Sequence, residues 1–133
     1  MINLSEKLGE MTFDGLITDI KPAPEVRGGV IRKLSAAATL KRGTILAKSS
    51  GTAGDGKLVI LGSTATTNET LTANCILAED VEVGTTADVT VLAYRTGHFA
   101  RSKLAVASGY TLKATDEEEL RKAGILLSDA IEY

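Results

Sequence analysis

Between residues 43 and 114 the chain is written in short apolar runs, each closed by a cluster of turn residues. The runs are GTILAK (43–48), KLVILG (57–62), NCILAE (74–79), DVTVLAYR (88–95) and HFARSKL (98–104), with YTLKA (110–114) as a further candidate. Runs of this length, rich in Val, Ile and Thr and with no helical stretch between them, predict strands of a small all-β body rather than βαβ units. In DVTVLAYR, Val89, Val91 and Ala93 fall on one face and Thr90, Leu92 and Tyr94 on the other. Both faces carry apolar residues, which predicts a strand covered on two sides. Thr96-Gly97 predicts a turn into the next run.

One helix is signalled, in T115-DEEELRKA-G124. Thr115 is placed to cap its N-terminus, with Glu118 at the reciprocal position of a capping box. Acidic residues fill the first turn and Arg121 and Lys122 the last, as the helix dipole prefers. Glu117–Arg121 and Glu118–Lys122 are spaced i, i+4, and Gly124 supplies a left-handed stop. This acid–base cluster has a structural explanation and needs no catalytic one.

Residues 1–33 are of a different kind. They hold both prolines, Pro22 and Pro24, and a Gly28-Gly29 pair, with isolated apolar residues set among charges. Proline bars a central strand or helix interior at 22–24. Leu4, Leu8 and Met11 have the spacing of a short helix. The segment is expected to be an extended arm with no core of its own, reaching at most about 100 Å, ahead of a β-rich domain at 34–133.

The closest approach to an enzyme signature is G51-TAGDGKL, most of the G-x-x-x-x-G-K-[ST] phosphate loop. It fails twice. Leu58 stands where Ser or Thr would bind the magnesium ion, and the loop opens an apolar β-branched run rather than the helix whose amides hold the anion. Asp55-Gly56 predicts a hairpin turn, with Lys57 pointing to solvent. The stretch YRTGHFARSK (94–103) gathers Tyr94, Arg95, His98, Arg101 and Lys103, the makings of an anion site with His98 as acid or base. No second motif supplies a partner for it, so exposed basic side chains around a turn are expected. Glu79-Asp80-Val81-Glu82 lacks the glycine and ligand spacing of a calcium loop and reads as a solvated strand exit. Cys75 is the one cysteine and His98 the one histidine, so no metal constellation is expected, and the apolar neighbours of Cys75 predict a buried thiol. The sequon Asn68-Glu69-Thr70 lies in a polar loop, STATTNET.

With a net charge of -2 and 15 Lys+Arg scattered singly or in pairs, there is no electrostatic footprint for nucleic acid. No apolar run approaches the roughly 18 residues of a membrane span. The expectation is therefore a non-enzymatic module with no catalytic residues, cofactor or metal, acting by binding, with neither nucleic acid nor membrane as a partner. A small enzyme using the 94–103 turn, or a β-rich ligand-binding module, are the alternatives. Five aromatic residues and no Trp supply a sugar platform poorly.

The order of motifs resembles the head decoration proteins of tailed bacteriophages, of the kind that cap the lambda head. The resemblance covers roughly residues 12–132. Its blocks are L40-KRGTILAK, then KLVILG, CILAEDVEVG and V89-TVLAYRTGHFARSKL, with F13-DGLI ahead of the prolines and L120-RKAGI near the end. The resemblance implies a barrel- or tulip-like β body with a short C-terminal helix. It also implies a homotrimer on the outer surface of the expanded capsid, made in the host cytoplasm, with one copy per major capsid protein at three-fold and quasi-three-fold points. An N-terminal arm would pair with capsid strands, with Phe13, Leu16, Ile17, Val26, Val30 and Ile31 as its contact residues.

Overall fold

The computed structural model describes residues 16–19 and 23–129. Phe13, the 4–11 helix and Pro22 lie outside them. Nine strands and one α-helix follow in chain order among the described residues: β1 (Ile17–Asp19), β2 (Glu25–Ile31), β3 (Ala38–Leu40), β4 (Ile45–Ser50), β5 (Leu58–Ile60), β6 (Thr70–Leu77), β7 (Val81–Val83), β8 (Val89–Ala100), α1 (Ala114–Ala123) and β9 (Ile125–Ser128). The chain is mainly β, as the run-and-turn pattern predicts.

Five strands close a barrel. β8 pairs antiparallel with β2, β2 parallel with β5, β5 antiparallel with β4, β4 antiparallel with β6, and β6 antiparallel with β8 again. Closure removes the exposed edges that a five-stranded open sheet would leave. The interior is filled by Ile31, Leu46, Leu58, Cys75, Leu77, Val91 and Ala93, all buried. Beyond the ring, the last residues of β8 carry β1 antiparallel on one side and β9 parallel on the other. β3 and β7 form a separate two-stranded sheet. α1 packs against β6 and β9 through Leu120, its one buried residue.

Four local expectations change. First, DVTVLAYR and HFARSKL are not two strands joined by a turn. They are one 12-residue strand, β8, which runs through Thr96-Gly97 and leaves the barrel for the β1–β9 layer. Gly97 makes this possible. Its φ is +149°, and a Cβ there would lie 2.6 Å from the Phe99 ring; only glycine leaves room for that ring. Register shifts in the β2 and β1 pairings flank it, and such bulges are how a strand changes layer.

Second, Arg101–Lys103 is a 3-10 turn and YTLKA holds no strand. The Leu104–Lys113 connection is strapped down instead by Ala105, whose backbone bonds Gly43 and Ile45, and by Ala107 N–H to Leu61. Third, the helix starts earlier than expected, with Lys113 as its N-cap. Thr115 is already helical, and the capping carboxylate is Asp116, which accepts the Lys113 N–H at 3.0 Å. Gly124 does end the helix, at φ 108°. Glu118 pairs with Arg121 three residues on, not with Lys122, and Glu117 pairs with Arg101.

Fourth, residues 25–31, assigned from sequence to the arm, are a barrel strand. β2 pairs along its length with β8, and Ile31 is fully buried. Pro24 sits just ahead of this strand, where its missing N–H is harmless.

Candidate functional site

The expected arm contacts divide into two groups. Leu16 and Ile17 are 2% and 6% exposed and Ile31 is fully buried. Leu16 packs under the turn at Gly43, and its C=O accepts the Ala100 N–H at 2.7 Å. These residues root the N-terminal segment on the body. Val26 and Val30 are exposed, at 42% and 39%, on the outer face of β2. Leu92, at 48%, lies between them across the strand pair, because Gly28 is its register partner. The two valines are contacts that the family resemblance implies; Leu92 carries no signal in the sequence beyond its place on one face of a strand apolar on both.

The 51–57 loop is a hairpin connection between β4 and β5, as expected, and no helix follows it. Gly56 turns it at a φ of 75°. The loop is stapled to the body. Arg32 donates from Nε and Nη2 to the two Asp55 oxygens, both at 2.9 Å, and from Nη2 to Glu69 at 2.6 Å. The Glu69 side chain is 1% exposed and also accepts from the Ser49 hydroxyl and from the Thr66 N–H. The Ser49 hydroxyl, the Thr66 amide and Arg32 hold the Glu69 carboxyl down at about 2. The Arg32 guanidinium does the same for Asp55, also to about 2. Lys57 does not stand free in solvent: its Nζ meets Asp88 at 2.5 Å. This ionic cluster was not foreseen, and it fixes loops 51–57 and 63–69 rather than opening an anion site.

The basic stretch 94–103 does not converge either. Tyr94 is fully buried against Phe99, with ring centroids 5.2 Å apart, and its hydroxyl accepts from Arg42. Arg95 reaches over Gly29 and bonds Asn74. Arg101 is taken up by Glu117 and Asp129. His98 sits in the outer layer between β1 and β9, opposite Asp19 and Leu126. Cys75 is fully buried, and burial pushes its thiol up to about 11. No group of three or more His, Cys, Asp or Glu side chains among the described residues is placed to hold a metal ion.

What the described surface offers is therefore an apolar strand face and a rooted N-terminus, around a stapled barrel. A family model described as bacteriophage lambda head decoration protein D matches residues 27–125. The chain belongs to that family. The head decoration match begins inside β2 at Arg27 and ends at Ile125, the first residue of β9. It takes in every other strand of the barrel, the β3–β7 sheet and α1, and leaves β1 and the segment before it outside. No curated protein matches the chain.

Proposed function

We propose that this protein binds the outside of an expanded phage head and stabilises it, as a trimer at three-fold positions, without catalysing a reaction. The family match across the barrel carries this reading. The segment ahead of Leu16, Phe13 included, pairs with strands of the major capsid protein, by strand addition to an exposed sheet edge. Leu16 and Ile17 hold the root of that segment on the body. Three rooted segments on one trimer engage neighbouring capsomers together, so weak individual contacts sum through effective concentration.

Ordering such a segment costs conformational entropy, which the strand pairs and apolar contacts offset only where the lattice presents matching edges. Binding is therefore expected to follow expansion. Sedimenting purified protein with unexpanded and with expanded heads of the cognate phage measures this directly. Co-sedimentation with expanded heads alone is expected, and equal binding to both forms removes expansion dependence.

A further inference from the structure

The ring closes on β2 only at its last residue. β5 pairs with it at Ile31↔Leu58, whereas β8 pairs along its whole length. Ahead of Ile31, β2 projects past β5, and its second edge has no strand partner among the described residues. Residues 25–29 are all exposed there, both glycines included. The register shows which groups this edge offers. Leu92, opposite Gly28, gives its C=O to the Ala78 N–H and its N–H to Glu79, both away from β2. Gly28 and Leu92 are therefore a non-hydrogen-bonded pair, so Val26 and Gly28 turn their N–H and C=O groups to the bare edge.

The two faces beside this edge differ. On the outer one, Val26 and Val30 flank Gly28, with Leu92 across from it. A Cβ on Gly28 would meet nothing nearer than the Val91 carbonyl at 4.0 Å, so the glycine leaves a notch. On the opposite face Arg27 and Arg95 line a cleft of about 470 Å³, with Glu25 as its one acid. Arg27 has no ion pair among the described residues, and Arg95 bonds the neutral Asn74 amide. A bare edge of this kind takes up an added strand. The strand that fits it sets apolar side chains on the valine face and acidic or neutral ones on the arginine face. Residues 10–14, Glu-Met-Thr-Phe-Asp, alternate in that way.

We propose that residues 11–14 of a second copy add to this edge as an antiparallel strand, with Phe13 opposite Gly28. The adjoining pairs are then Asp14 with Arg27, Thr12 with Gly29 and Met11 with Val30. Phe13 covers the notch between the two valines and Leu92, as an aromatic ring compensates for a glycine on an edge strand. Asp14 supplies the carboxylate that Arg27 lacks. Pairing stops at Met11, because β5 holds the edge at Ile31.

Reach requires that the segment come from another copy. Leu16 is bonded to Ala100, and Arg27 lies opposite Ala93; those two alanines are roughly 20 Å apart along β8. Two residues separate Asp14 from Leu16, at most about 7 Å of chain. A chain therefore cannot lay its own Asp14 beside its own Arg27. The contact goes beyond the capsid role proposed above. One segment cannot occupy a neighbour's β2 and a capsid strand together, so free copies hold each other's docking segment until a head takes it.

In this register Asp14 and Arg27 form a non-hydrogen-bonded pair with Cα atoms about 4.5 Å apart, a spacing that admits a disulfide. Full chains carrying Asp14→Cys and Arg27→Cys are mixed under mild oxidation, and circular dichroism confirms that each is folded. The control mixture pairs Asp14→Cys with Lys48→Cys, at an exposed position of β4. Cys75 is buried and silent in both. A reducible heterodimer is expected from the first mixture and not from the control. It is expected to disappear when the Arg27→Cys chain also carries Gly28→Pro, which removes an edge N–H and leaves the β8 ladder intact. Equal yields from the two mixtures overturn the inference, whether or not the proline variant folds. A chain carrying both Asp14→Cys and Arg27→Cys that closes the disulfide within itself also overturns it. So does a folded Gly28→Pro chain that loses head binding while the first mixture yields no more than the control, an outcome that assigns the edge to the capsid.

Discussion

At the scale of single residues, the Arg32–Asp55–Glu69 cluster decides how the barrel behaves in acid. Glu69 has an ordinary value near 4.5 and is held at about 2 in the folded chain. A carboxylate whose folded value is depressed stabilises the fold above its unfolded value and loses that contribution as pH falls toward the folded one. Asp55 acts in the same direction, from 3.8 to about 2. Wild-type Tm is therefore expected to hold down to about pH 4.5 and to fall between there and pH 2. Glu69→Gln removes the titrating group, so the variant should start lower at neutral pH and show a shallower acid limb. Tm measured from pH 2 to 7 for both proteins checks this, and parallel limbs would remove Glu69 from the account. None of this was legible in the sequence. Arg32 read as half of a scattered basic pair and Glu69 as the middle of a sequon. The cluster joins residues from three separate segments, and no local spacing announces a contact of that range.

At the scale of elements, what has a local signature was read correctly. The apolar runs at 43–48, 57–62 and 74–79 became β4, β5 and β6, and Gly124 stopped the helix, because period, β-branching and a left-handed glycine act within a few residues. The misread elements are those decided by distant partners. Thr96-Gly97 looks like a turn to any local rule, yet β2, β6, β1 and β9 all pair with β8 and hold it extended. The helix cap moved because the Asp116 carboxylate is also bonded by the Tyr110 hydroxyl, which anchors it over Lys113. Gly97 is the position where this reading of β8 is most exposed to test. Gly97→Val puts a branched side chain on backbone at φ +149° and 2.6 Å from a fully buried ring. Strained backbone and overpacking together are expected to cost about 2 kcal/mol or more, a fall in Tm of about 5–10 °C. A turn at that position would accept the change far more easily, so a Tm within a degree of wild type contradicts the continuous strand.

At the scale of the whole molecule, the barrel redraws where the arm can begin. Sequence placed the boundary at residue 33, because two prolines and a glycine pair look like a linker and Val26, Val30 and Ile31 are too few to suggest a core. Ring closure supplies what they lack: β2 is the strand that joins β8 to β5, and a sheet missing it has two open edges where the barrel has none. The two possible truncations therefore have opposite outcomes. Removing residues 1–15 leaves Leu16, Ile17 and all the described core in place, so thermal unfolding is expected to remain cooperative with Tm nearly unchanged, while binding to expanded heads is lost. Removing residues 1–33 takes away β1 and β2 together, with the buried Leu16, Ile17 and Ile31. Losing three such side chains alone costs several kcal/mol, at about 2–5 each on the scale of large-to-small core substitutions, against a total stability of about 5–15. That chain is expected to be unfolded or aggregated, and its failure to bind heads would say nothing about an arm. Circular dichroism melts of both truncations beside a head-binding assay separate the cases. A well-folded 34–133 fragment would show that β2 is dispensable to the barrel, and head binding by the 16–133 chain would move the capsid contact off the N-terminal segment and onto the body.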